Sequence, residues 1–297
     1  MDIVKKHRII CLMYGPDWID NYFTVGEVRE MNRGETELKK GNISEVYREG
    51  NIVYRDLKPQ SKTISRLLLH LESKGILFVP RFLGVKNEKQ EMLSFVSGET
   101  TEDYPLQDDL QSKIITVQMA ASMLREYHDA TLDFKRLPED NWFLNYEGEL
   151  SKEVICHNDF APYNVTFHNY GPAGLIDFDT ACPAPRIWDV AYAVYRFVPL
   201  GMEVFEPGTK KYREYDKALD CLERRVLLNT FLEAYGMEEA VLEVLQNLLM
   251  RLEALVKLFD EECSKGNTAF VRMKEEGHQQ FYRNEIEFIK ENMLDWT

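Results

Sequence analysis

Residues 154–189 read VICHNDFAPYNVTFHNYGPAGLIDFDTACPAPRIWD, and this stretch decides how the rest of the chain is read. Two short apolar runs, Val154 to Cys156 and Val165 to Phe167, flank a polar loop that carries His157, Asn158, Asp159 and Asn164. A third run, Gly174 to Ile176, ends in Asp177, with Asp179 two residues on. Such a pattern places carboxylates and amides at the ends of short strands joined by turns. Asp and Asn at such places often do no more than cap the turns. Their joint spacing is more specific: an Asp, an Asn five residues later and an Asp-Phe-Asp on a neighbouring strand supply the parts that phosphoryl transfer uses. One carboxylate accepts or orients a hydroxyl proton, while an amide oxygen and a second carboxylate hold a hard divalent ion against phosphates.

The segments HNDFAPYN (157–164) and LIDFDTACPAPRIWDVAYA (175–193) resemble the catalytic and metal-binding motifs of the aminoglycoside phosphotransferase and choline kinase group. That resemblance implies an α+β, protein-kinase-like two-lobe fold. Residues 1–98 would form a small, β-rich nucleotide-binding lobe, and residues 99–297 a mostly helical lobe for catalysis and acceptor binding. It further implies Asp159 as the catalytic base, Asn164 and Asp177 as Mg²⁺ ligands, His157 as a loop-positioning side chain, and ATP or GTP as co-substrate. Asn158 stands where the group usually has Gly. The expected reaction moves a γ-phosphoryl group to a small-molecule hydroxyl, with aminoglycosides or amino alcohols as possible acceptors.

Working outward toward the N-terminus, Val46 to Arg48 and Ile52 to Arg55 flank Glu49-Gly50-Asn51, a hairpin signal because Gly and Asn tolerate positive φ. Upstream lies KKGNIS (39–44), where the resemblance implies a nucleotide-covering loop. Its Gly41, Ser44 and neighbouring lysines would contact phosphate. Arg55 ends the second hairpin strand, where the resemblance implies a cation on the phosphates and a pair with Glu72 of the helix expected over residues 63–73. Lys74-Gly75 closes that helix. Two further strands are expected at 78–84 and 90–96, and in the kinase-like reading residues 94–98, including Ser94 and Val96, form the hinge that meets the adenine edge.

Toward the C-terminus, Ile114, Val117, Ala121 and Leu124 recur at helical steps and lead into Tyr127-His128-Asp129. His128 reads as a buried hydrogen-bonding brace. Asp189 reads equally as a helix cap or as a group holding the catalytic loop from behind. Three longer helices are expected at 210–235, 238–262 and 272–292. The middle one carries the stripe Leu245, Leu248, Leu252, Leu255, Phe259, too short for a dimerising coiled coil. A monomer or weak homodimer is the expectation.

A chain of 297 residues, 44% of them apolar, can bury a core spanning two coupled lobes. The formal charge of −14 argues against broad nucleic-acid binding. From Glu233 to Glu262 acids outnumber bases eight to two, which makes a cationic acceptor one expectation and a solvated helix face the other. No run approaches a membrane span, and the scattered cysteines, five in all, form no Cys-x-x-Cys pair, so a cytoplasmic protein with reduced thiols is expected. Cys156 beside His157 is poorly placed for thiol catalysis, since adjacent strand residues face opposite ways. Two other readings stand against the kinase one: a nucleotide-binding scaffold without turnover, and a metal-dependent phosphohydrolase.

Overall fold

Gly50, at φ +59°, closes the hairpin formed by strands β1 (Tyr47–Glu49) and β2 (Ile52–Asp56). The computed structural model describes residues 46–101, 109–169, 171–206, 208–209 and 211–297. The nucleotide-loop expectation at Gly41 and Ser44 therefore lies outside the described residues. After β2 come helix α1 (Ser61–Ser73) and strands β3 (Phe82–Lys86) and β4 (Gln90–Ser94). The strands form an antiparallel sheet in the order β1-β2-β4-β3. β3 begins later than the sequence pattern indicates, beyond Pro80, which has no N–H to give to a ladder.

α1 has two working faces. Ile64, Leu67, Leu68 and Leu71 are buried in the core. Thr63, Arg66 and His70, with Lys74 just past the helix end, form a polar stripe at steps of three and four that meets residues 130–141. The Asn141 N–H donates to Thr63 Oγ1 at 2.8 Å, Arg66 donates to the Asp140 carboxylate and the Lys135 carbonyl, and the His70 ring bonds the Ala130 carbonyl at 2.8 Å. This stripe fixes the rotation of α1 against the second lobe.

That lobe begins with helix α2 (Leu110–Thr131), capped by Asp109, whose side chain accepts from the Ser112 N–H at 2.8 Å. Short strands follow: β5 (Val154–Cys156) pairs with β8 (Cys182–Ala184), and β6 (Val165–His168) with β7 (Gly171–Leu175), all antiparallel. Helix α3 (Arg186–Phe197) is buried along nearly its whole length. The remaining helices are α4 (Lys217–Tyr235), α5 (Val241–Ser264), α6 (Thr268–Glu275) and α7 (His278–Asn292). The α5 stripe Leu245, Leu248, Leu252, Leu255, Phe259 is buried core, as its period requires. The architecture is α+β, with a β-rich first part and a largely helical second part.

Two expected helices are corrected. β9 (Glu203–Glu206) pairs antiparallel with β10 (Lys211–Glu214), with Phe205 against Tyr212 and Arg213 on Glu206, so α4 starts at Lys217. The expected helix 272–292 is two helices, because Gly277 sits at φ +89° between α6 and α7. Among the described residues no helix is long and apolar enough to cross a membrane.

The chain leaving β4 docks on β6. Glu99 and Phe167 exchange backbone hydrogen bonds at 3.1 and 2.8 Å, and the Leu175 N–H donates to the Phe78 carbonyl at 2.7 Å. Gly98 lies at φ +119°, and a Cβ there would fall 2.8 Å from Thr166 Cβ and 2.9 Å from the Phe167 carbonyl oxygen. Both the dihedral and the close approach demand glycine. Gly98→Ala is therefore expected to lower unfolding stability by about 1–3 kcal/mol, checked by denaturant titration; an unchanged midpoint would show that this junction tolerates a side chain.

Candidate active site

The loop between β5 and β6 is held by one buried carboxylate. Asp189, in the first turn of α3, accepts from the His157 N–H at 2.6 Å and the Asn158 N–H at 2.9 Å. It also accepts from His128 Nε2 at 3.0 Å, and His128 Nδ1 meets the Tyr235 hydroxyl at 2.6 Å. Burial pushes the Asp189 carboxyl up, but these donors outweigh it and hold the group below the ordinary carboxylate range. Of the two readings of Asp189, holding the loop from behind is the observed one, and His128 is the expected brace.

Asn158 sits at φ +64° in the left-handed region, where a glycine is the easiest residue and Asn the next. Its amide donates to the Thr180 carbonyl at 3.0 Å and approaches Cys182 Sγ at 3.2 Å, locking the strained turn. His157, wholly buried, reaches the Ile176 carbonyl through Nε2 at 3.0 Å. Burial depresses its pKa to about 4, so it is a neutral positioning ring that ties the loop to the end of β7. Cys156 bonds the Pro185 carbonyl and burial drives its thiol well up, which removes it from nucleophilic chemistry.

Asp159 follows, 2% exposed. The Tyr163 hydroxyl donates to its Oδ1 at 2.6 Å, and Asn164 Nδ2 donates to its Oδ2 at 2.8 Å. Burial pushes the Asp159 carboxyl up to about 7, against the pull of Tyr163. The Ile176 N–H donates to the Asn164 carbonyl at 2.9 Å, which sets Asn164 beside Asp177. Asp177 lies just past β7 at φ +61°, and its buried Oδ1 has no hydrogen-bond partner. Burial and the neighbouring Asp179 raise its carboxyl to about 6. Asp177 Oδ1, which has no hydrogen-bond partner, and the oxygen of the Asn164 amide, whose nitrogen is engaged by Asp159, are hard-oxygen donors of the kind that Mg²⁺ takes.

Arg55 reaches this group from the first lobe. Its Nε donates to Glu91 at 2.7 Å, Nη2 lies 3.0 Å from Asp179 and Nη1 3.8 Å from Asp177. Lys58 Nζ meets Asp179 at 2.6 Å. The expected Arg55–Glu72 pair is not formed. Glu72 is exposed at the end of α1, 3.8 Å from Arg81, because the polar stripe of α1 is turned to the second lobe. Glu91, directly opposite Arg55 in the β2–β4 register and fully buried, takes the place expected of Glu72. The strand alternation of β4 carried the signal for Glu91; Lys58 had none in the linear pattern. Ser94 lies within β4, where it donates its N–H to the Arg81 carbonyl and accepts from the Arg81 N–H through Oγ, each at 2.8 Å. Val96 lies beyond the strand and packs over Gly174.

His128, Cys156 and Asp189 also lie within ligating distance of one another. Imidazole and thiol suit softer metals than Mg²⁺, and both Asp189 oxygens already accept hydrogen bonds, so this group is a brace.

Residues 121–221 match the model described as "Phosphotransferase enzyme family". The trifolitoxin immunity protein of Rhizobium leguminosarum bv. trifolii is 34% identical over 164 residues, which are 53% of this chain and 60% of that protein, so the chain spans less than two thirds of this curated relative. Among solved structures, the GDP and kanamycin complex of APH(2")-IIia superposes with a TM-score of 0.52 at 13% identity, covering 92% of this chain and 97% of that one. Choline kinase from Cryptosporidium parvum Iowa II gives 0.50 at 13% identity, covering 94% and 98%. The likeness to these two structures is one of fold: this chain shares their two-lobed arrangement of a β-rich first part and a largely helical second part.

The raised carboxyl of Asp159 makes a stability prediction with a definite sign. Below the ordinary carboxylate range it is protonated in folded and unfolded chains alike. Between that range and about 7 the unfolded chain ionises first, so the contribution of this group to stability falls as pH rises, then stays constant. In metal- and nucleotide-free buffer, Asp159→Asn is expected to raise stability by on the order of 1 kcal/mol at pH 8 and by nearly nothing at pH 4. Thermal melts across that range check this; a variant equally displaced at both pH values would refute a buried, raised carboxyl.

Proposed function

We propose that this chain is a small-molecule kinase that transfers the γ-phosphoryl group of ATP or GTP to a hydroxyl, with residues 1–98 as the nucleotide lobe and 99–297 as the acceptor lobe. The observation that carries the reading is Asp159: a buried carboxylate at the tip of a braced loop, oriented by Tyr163 and Asn164, beside a second carboxylate whose buried Oδ1 has no hydrogen-bond partner. A scaffold that only bound nucleotide would have no physical need of that arrangement.

In this reading Asp159 accepts the acceptor's hydroxyl proton as the acceptor oxygen bonds to the γ-phosphorus. The bond from that phosphorus to the bridging oxygen breaks, and the nucleoside diphosphate leaves with the electron pair. The pKa near 7 suits a group that takes a proton at neutral pH and returns it afterwards. Asn164 and Asp177 would hold a divalent ion, which when bound neutralises phosphate charge. Arg55, steadied by Glu91, and Lys58 would meet the phosphates from the first lobe, with Arg55 supplying a planar fork of donors. The backbone of Val96 would face the adenine edge. Gly41 and Ser44, which lie outside the described residues, would contact phosphate from the covering loop that the resemblance implies.

Production of nucleoside diphosphate and of phosphorylated acceptor, measured over a panel of hydroxyl compounds, tests the function. Asp159→Asn is expected to lower kcat by about 10² or more with nucleotide affinity within a few-fold, and Asp177→Ala to abolish Mg²⁺-dependent nucleotide binding in calorimetry. Turnover by Asp159→Asn close to wild type would remove it as the base. Phosphate released without any acceptor would make the protein a hydrolase, and nucleotide binding without consumption would make it a scaffold.

A further inference from the structure

Two arginines stand next to Asp159 without a carboxylate of their own. Arg196, near the end of α3, lies over the ring of Tyr163 at 5.2 Å and that of Tyr195 at 5.8 Å. Tyr163 is the residue that donates to Asp159, and its hydroxyl lies 3.1 Å from that of Tyr192. Arg251, on α5 and 4% exposed, lies over Tyr192 at 5.0 Å and Trp188 at 5.5 Å, with Nη2 donating to the Asn158 carbonyl at 2.9 Å. Among the described residues neither arginine makes a salt bridge, and the buried Nε of each has no hydrogen-bond partner. A guanidinium in such a place is normally matched by a carboxylate or phosphate, since an uncompensated charge in low dielectric is costly.

The two are not equivalent. Arg251 has a fixed task, holding the backbone of the strained Asn158 turn. Among the described residues Arg196 is held by ring faces; it is half-buried rather than sealed and belongs to the acceptor lobe, whereas Arg55 and Lys58 approach from the nucleotide lobe. The acidic residues that made a cationic acceptor an expectation lie elsewhere. Asp260 meets Lys274 and Arg283, Glu253 meets Lys290, Glu261 meets Lys257, Glu262 meets Lys265, and Glu233, Glu238, Glu239 and Glu243 are exposed. Surface pairs of this sort serve solubility and small local gains, not a cleft that collects polycations.

We propose that Arg196 reads an oxyanionic group, a carboxylate or phosphate ester, on the hydroxyl acceptor, so that the acceptor is a hydroxy acid or sugar phosphate rather than an aminoglycoside or amino alcohol. This rests on the kinase reading and names the substrate class for the same site. The guanidinium would pair with the acceptor's anion while Asp159 faces its hydroxyl, so one end of the molecule is gripped and the other presented.

The test is nucleotide consumption by the full chain with matched acceptors at constant ionic strength: 4-hydroxybutyrate, glycerate and glycerol 3-phosphate, against 1,4-butanediol, glycerol, choline and kanamycin. Anionic compounds are expected to stimulate consumption, with a KM that rises as salt screens the arginine. For the best of them, Arg196→Met should raise KM at least tenfold, with a smaller change in kcat, and Arg196→Lys should recover part of the loss. A merely structural arginine would shift KM equally for charged and neutral acceptors. Stimulation by neutral or cationic compounds and by no anionic one overturns the proposal and leaves the kinase reading standing. If no compound on the panel stimulates consumption, the anionic-acceptor assignment also falls. Failure of Mg²⁺-nucleotide binding in calorimetry is the separate result that would overturn the kinase reading beneath it.

Discussion

The Asp189 carboxylate is the point on which the second lobe of this fold turns. One oxygen accepts from the Asn158 N–H, the other from the His157 N–H and His128 Nε2, so a single group joins the start of α3, the end of α2 and the loop between β5 and β6. His128 extends the chain of bonds to Tyr235 at the end of α4, and Arg186 joins it there while pairing with Asp129. A buried charge so placed is specific because it is unforgiving: leaving its donors unpaired would cost about 3–5 kcal/mol, whereas its net contribution when intact is far smaller. The brace thus works mainly by excluding other conformations of the loop. That is what permits Asn158 to stay at positive φ and Asp159 to keep one orientation.

What was legible in the sequence follows from how local each feature is. The loop residues His157 to Asn164, the hairpin around Gly50 and the α5 stripe depend on spacing within one element, and the chain states them directly. Asp189 was readable only as one of two roles, because capping and bracing use the same residue at the same helix end. The partner of Arg55 depends on the rotation of α1, which is set by Thr63, Arg66 and His70 bonding residues sixty or more positions away. No periodicity within 63–73 could carry that, and so Glu72 was expected where Glu91 stands. Tyr163, Lys58 and Arg196 were missed for a related reason: each matters through a neighbour brought in by tertiary folding, and alone each looks like an ordinary loop or helix residue.

The electrostatics of the site show a fold working against its own stability. Asp159, Asp177 and Glu91 are all raised, with burial the first cause in each case. Carboxylates kept in such surroundings destabilise the empty site at neutral pH and gain when a cation arrives, the usual relation between a functional site and the scaffold that carries it. The surrounding core absorbs the deficit. α3 is buried along almost its entire length and packs on α5, with Val190, Ala191, Ala193 and Val194 fully enclosed behind the charged loop.

Arg55 also explains why a guanidinium suits its position better than an ammonium. Its Nε is fixed by Glu91 across the β2–β4 ladder, while its two Nη atoms point over the lobe junction to Asp179 and Asp177. A planar fork can satisfy donors on two sides at once and keep a defined direction; a lysine, with one tetrahedral nitrogen on a flexible stem, would have to choose between Glu91 and the far lobe. Lys58 takes the second role, meeting Asp179 at 2.6 Å. The first lobe therefore presents one directional and one adaptable cation to the carboxylates after β7. Because Glu91 anchors the directional one from behind, exchanging its contacts with Asp177 and Asp179 for those with a phosphate would leave the stem of Arg55 in place and move only its tip.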